Sequence, residues 1–157
     1  MRTSLLLIAV LFVSGSLFAQ VGVTFSPNIA SQPIWGPTGY DHVEYYYLPD
    51  IETYYDVPQK KFFFYEGGHW ISTAKLPSRH HGYDFYNSYK VVVNEQKPFH
   101  NHNRYKDQYA SFKGRHGQTL IRDSRDSRYY VIVGHPEHAK WVKQNGSANG
   151  KGKNNKE

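Results

Sequence analysis

Nine histidines offer the most obvious chemistry in this chain of 157 residues. They fall as His80-His81, His100-x-His102, a lone His116 and His135-x-x-His138, with His42 and His69 apart. On a strand, His100 and His102 point to one face, a spacing that holds Zn(II) or Cu(II) through imidazole. His100, His102 and His116 are therefore the metal candidates, with zinc or copper as the ion. No H-E-x-x-H is present, and the chain has no cysteine, which excludes thiol chemistry and Cys-zinc sites.

Other catalytic patterns are missing. No serine sits in G-x-S-x-G, and there is neither a P-loop nor a dinucleotide fingerprint. Asp123, Ser124, Asp126 and Ser127 belong to the repetitive stretch RDSRDSR and read as turn and capping residues. Glu44, Glu52 and Asp56 fall on neighbouring strands, where paired carboxylates could cleave glycosides, but the solvent face of a sheet is the favoured account of them. No catalytic residue is assigned. Aromatic and basic residues interleave at Tyr83, Phe85, Tyr86, Tyr89 and Lys90, which would serve either as a stacking surface for sugars or an anionic glycan or as core and sheet cover.

The elements that must carry these residues are mostly strands. The chain holds 14 Tyr, 9 Phe and 3 Trp, a supply that suits a pleated sheet better than a leucine-rich helical core. Strand patterns run over 43–47, 51–57, 61–65 and 69–73, separated by Pro49, Pro58 and the turn Glu66-Gly67-Gly68. Within 51–57, Ile51, Thr53, Tyr55 and Val57 alternate with Glu52, Tyr54 and Asp56. Short turns make such strands antiparallel neighbours. Further strands are expected over 89–94 and 129–133. Helices are expected over 103–113, where Tyr105, Tyr109 and Phe112 share a face, and over 136–144, opened by Pro136 and docked through Trp141. The expected fold is mainly β with minor α: a small antiparallel β-meander with one or two short helices.

The chain divides into 1–19, 20–41, 42–144 and 145–157. Arg2, the apolar run Leu5–Val13, the break Ser14-Gly15-Ser16 and Ala19 give residues 1–19 the order of a cleavable signal peptide. Leu17 departs from the small residue usual at that point. The apolar run is shorter than the roughly 20 residues a membrane span needs, and no later segment is long and apolar enough. Residues 20–41, with Pro27, Pro33 and Pro37, read as an extended lead-in. Residues 42–144 form one β-rich domain, and 145–157 read as a disordered basic tail.

Charge is split along the chain. The formal net charge is +6; from Gln20 to Ala74 it is −4, from Lys75 to Arg128 +6, and from Tyr129 onward +3. The two parts either attract one another within the fold or leave a basic face for an anionic partner.

The segment YYYLPDIETYYDVPQKKFFFYEGGHWISTAKLP, Tyr45 to Pro77, resembles small exported proteins of Bacteroidota-type Gram-negative bacteria. KVVVN, the stretch His100 to Tyr105 and the Gly/Asn-rich basic end are similar to that group too. The resemblance implies an envelope location and a β-meander, and no activity. The expected protein is therefore a periplasmic or secreted, non-enzymatic binding or interaction module. Its expected partners are anionic envelope polymers or another envelope protein, not nucleic acid. A histidine-based metal-binding protein and a secreted hydrolase are the alternatives.

Overall fold

Alternating aromatic residues on successive short strands bury both faces of one sheet. The computed structural model describes residues 27–149, without the side chains of 146–149. The segment read as a signal peptide, the start of the segment read as a lead-in and the last eight residues lie outside the described residues. β1 (Tyr45–Leu48), β2 (Thr53–Asp56), β3 (Lys61–Glu66), β4 (His69–Thr73) and β5 (Val91–Val93) form an antiparallel sheet in the order β4-β3-β2-β1-β5. The meander expected from the sequence is present, and β5 extends it beyond β1. The fold is mainly β with minor α, most helical residues lying in single 3-10 turns around the sheet.

Register sends Tyr46, Leu48 and Phe62 to one face, where Trp35, Tyr55 and Phe85 pack with them. Tyr45, Tyr47, Tyr54 and Val93 go to the other, where Phe63, Trp70, Phe99, Tyr105 and Tyr109 close the layer. Helix α1 (His102–Gln108) carries Tyr105 inward. It is shorter than expected: a 3-10 turn, Ala110–Phe112, replaces its second half. The shared face of Tyr105, Tyr109 and Phe112 survives that change, with consecutive rings 6.1 and 5.8 Å apart.

Four expectations are corrected. Residues 28–41 are built into the core rather than an extended lead-in. The Asn28 side chain donates to the Val43 carbonyl at 2.7 Å and accepts the Val43 N–H at 2.9 Å, replacing a strand partner. Trp35 lies 5.4 Å from Tyr46 and 5.0 Å from Tyr55. Gly36 is obligatory beside it, since a Cβ there would sit 2.5 Å from the Tyr46 hydroxyl oxygen. Proline and glycine marked irregular backbone, which proved to be ordered. The expected strand 129–133 is instead a 3-10 turn and bends, because Tyr129 and Ile132, three apart, bury together with Ile121 in a satellite core. The last helix, α2 (His138–Asn149), runs past 144 into the segment read as a disordered tail. The ring neighbour of its Trp141 is His138 of the same helix, not the sheet.

Candidate functional site

The turn between β1 and β2 shapes one end of the sheet. Pro49 opens the 3-10 turn Pro49–Ile51, and Glu52 closes it with φ 48° and ψ 40°. A side chain in this left-handed region costs about 1–2 kcal/mol, so its surroundings must hold it there. They are cationic. Glu52 Oε1 accepts from Lys113 Nζ at 2.6 Å, and Oε2 lies 2.9 Å from Lys106 Nζ and 3.7 Å from His102 Nε2. These bonds outweigh the burial of the carboxyl and lower its pKa. Asp50, two residues earlier, accepts the Gly114 N–H at 2.7 Å. The acidic first part of the chain thus clasps the basic second part. Arg128 with Asp41, and Arg79 with Glu66, repeat the pattern at the surface.

His102 opens α1 and lies edge-on to Trp70, ring centres 5.0 Å apart. Its Nδ1 is 3.2 Å from the Tyr54 hydroxyl. Burial lowers its pKa, although the Glu52 charge pulls the other way. Burial and the neighbouring Tyr47 raise the pKa of Tyr54, which remains a phenol. The tautomer consistent with both neighbours has Tyr54 donating to Nδ1 and the ring proton on Nε2 facing the carboxylate. Tyr54, His102 and Glu52 therefore make one polar line through an aromatic layer.

Beside this line is an open cleft of about 930 Å³. It is lined by Tyr65 and Trp70 of β3 and β4 and by Phe99, His100, His102 and Arg104 at and before α1. Asp50, Glu52, Lys106, Arg79 and His80 also line it. Tyr65 is 54% exposed, the most accessible aromatic ring among the described residues. The cleft thus combines aromatic rings with the cations Arg79, Arg104 and Lys106, which are paired to Glu66, Glu95 and Glu52.

The metal candidates are not brought together. His102 turns to Tyr54 and Glu52, His100 packs edge-on to Phe99 in the cleft, and His116 bonds the Asn87 carbonyl at 2.9 Å. Among the described residues no group of three or more His, Asp or Glu is arranged to hold a metal ion. His135 and His138 hold turns, through the Ser124 and Tyr130 carbonyls. The carboxylates considered for glycoside cleavage also separate. Glu44 pairs with His42, and Asp56 accepts the Gln59 N–H at the other end of β2 from Glu52.

The expected stacking surface is divided. Lys90 is only 1% exposed, and its ammonium donates to the carbonyls of Phe85 and Ser88. Burial lowers its pKa to about 8. Tyr83 packs edge-on to Phe85, and Tyr89 stacks on Phe112 at 4.6 Å. Only Tyr86 faces out, under the Arg122 guanidinium at 4.2 Å. Period-two reading cannot separate a lysine at a strand entrance from one on a surface. Asp126 caps the turn of RDSRDSR as expected, accepting the Arg128 N–H at 3.0 Å.

The Glu52–His102–Tyr54 line joins residues about fifty positions apart, and the sequence carried no sign of it beyond the split charge. No protein-family model matches the chain, and no curated protein or solved structure matches it either. Among the described residues no helix is long and apolar enough to cross a membrane.

Proposed function

We propose that this chain is an exported, non-enzymatic binding module of the cell envelope, and that the cleft between β4 and α1 receives a segment of an anionic envelope polymer. The observation that carries this reading is that Tyr65 and Trp70 line one cleft together with Arg79, Arg104 and Lys106. The N-terminal pattern of a basic residue, an apolar run and a small residue supports export. The resemblance of Tyr45–Pro77 to small exported proteins points to the same compartment. A binding role fits the clasp, because both His102 nitrogens and both Glu52 oxygens already face partners within the fold.

Calorimetry with oligogalacturonate as the anionic probe and a malto-oligosaccharide as the neutral one tests this reading. The anionic probe is expected to bind, and its affinity to fall as NaCl rises from about 0.02 to 0.5 M, because screening shortens the reach of exposed charges. Trp70→Ala is expected to weaken it about tenfold. Binding indifferent to salt, preference for the neutral probe, or release of new reducing ends would contradict the proposal.

A further inference from the structure

Tyr54 stands in a row of oxidisable rings. Its ring centre is 4.9 Å from Tyr47 and 5.7 Å from Trp70, and Trp70 is 5.5 Å from the exposed Tyr65. These spacings are van der Waals contacts between rings, so an electron can pass from Tyr54 to the protein surface in short steps. The chain offers few sulfur targets, with no cysteine and one methionine.

What distinguishes Tyr54 among the buried tyrosines is a histidine on its hydroxyl; Tyr45 and Tyr105 bond the carboxylates of Asp56 and Glu95 instead. A phenol that loses an electron becomes a strong acid. Inside an apolar layer the electron leaves readily only if a base waits within hydrogen-bond reach. Tyr47 is equally buried, but its hydroxyl has no partner. The Tyr46 hydroxyl meets the amide oxygen of Gln32 at 3.3 Å, which is no base. The Tyr54 hydroxyl meets an imidazole nitrogen at 3.2 Å, and a carboxylate oxygen lies 3.7 Å from the far nitrogen of that ring. The Glu52 carboxylate favours the imidazolium formed by proton transfer, against the burial and the lysines Lys106 and Lys113 that disfavour it.

We propose that Tyr54 and His102 form a proton-coupled electron-transfer site that consumes one-electron oxidants of the oxygen-radical class. The oxidant takes one electron from Tyr65 or Trp70, and Tyr54 refills that ring. The Tyr54 O–H proton moves to His102 Nδ1. The products are a neutral phenoxyl radical on Tyr54, an imidazolium beside Glu52 and an oxidant reduced by one electron. A small-molecule reductant such as ascorbate returns the electron, and the proton goes back to the oxygen.

Photo-oxidation of the purified chain tests this, with ruthenium tris-bipyridine as sensitiser, persulfate as electron acceptor and electron paramagnetic resonance of frozen samples as readout. A neutral tyrosyl radical is expected, coupled to a histidine nitrogen when the chain carries ¹⁵N-histidine. Tyr54→Phe is expected to remove that signal and Tyr47→Phe to leave it. His102→Gln is expected to slow its formation about tenfold, a barrier change of about 1.4 kcal/mol. Persistence of the coupled signal in Tyr54→Phe, or its equal loss in Tyr47→Phe, overturns the proposal. Absence of histidine coupling in the unaltered chain overturns it without reliance on any variant.

Discussion

The two faces of the sheet are built from the same residue types and end differently. On the face of Tyr46 and Leu48, Trp35 and Phe85 seal the layer, and the polar groups drawn inside, Gln32 and Lys90, are met by chain carbonyls and a hydroxyl. On the face of Tyr47 and Tyr54, the Tyr54 hydroxyl meets His102, which neighbours Glu52, and these residues border a cleft. Alternation of aromatic residues along a strand therefore builds both a structural face and a chemical one. The covering segment decides which: the proline-rich stretch 28–41 on one side, and the histidine- and lysine-bearing α1 on the other.

The comparison breaks most sharply at the sealed face. Tyr46→Ala should cost about 4 kcal/mol in urea unfolding, since it empties a fully buried site between Trp35 and Gly36. Tyr65→Ala, on the rim of the cleft, should stay within about 0.5 kcal/mol. Equal losses would mean that the faces do not differ as described.

Lys90→Met should cost about 3 kcal/mol, because two inward carbonyls lose their donor. Lys90 also has a pH signature. Its pKa is about 8 in the fold against 10.5 when free, so the unfolded chain holds more protons between those values, and stability should rise as pH climbs from 8. The buried tyrosines act in the opposite sense. Tyr45 is raised to about 12, chiefly by burial, and Tyr46, Tyr47 and Tyr54 are raised further. Their contribution is complete below pH 10 and is lost above it, when the unfolded chain releases phenolic protons that the fold retains. Urea midpoints measured from pH 7 to 11 should pass through a maximum, and Lys90→Met should remove its rising limb only.

On the open face, Glu52→Gln should cost about 1 kcal/mol, since the partly exposed clasp loses one carboxylate facing two ammonium groups. The loss should shrink in high salt, unlike that of Tyr46→Ala. Smallest is Tyr47→Phe, which removes a hydroxyl that nothing bonds. It should leave stability unchanged or raise it by up to about 1 kcal/mol. A larger loss in thermal melts would show a partner for that hydroxyl.

Much of the open face was legible before folding. The alternation in 51–57 put Glu52 and Tyr54 on one side, and Tyr105, Tyr109 and Phe112 on one helical face, as observed. His102 stood out as a residue of consequence, but for metal binding, because spacing does not reveal that its neighbour would be Tyr54. The sealed face was harder to read. Its cover comes from a segment whose prolines signal irregular backbone whether or not that backbone is ordered. Its buried cation, Lys90, resembles a surface lysine until the carbonyls of residues 85 and 88 are seen to converge on it. Charge segregation was the long-range feature the sequence displayed most openly, and it became the clasp on Glu52.

The division into a sealed face and a receiving face meets its most direct test in nuclear magnetic resonance of the ¹⁵N-labelled chain titrated with oligogalacturonate. The shifts should gather on Tyr65, Trp70, His80, His100 and Lys106, leaving Trp35, Phe85 and Lys90 unmoved. Shifts that centred on Tyr83, Tyr86 and Arg122, or that spread evenly over both faces, would contradict the assignment of the cleft as the binding site.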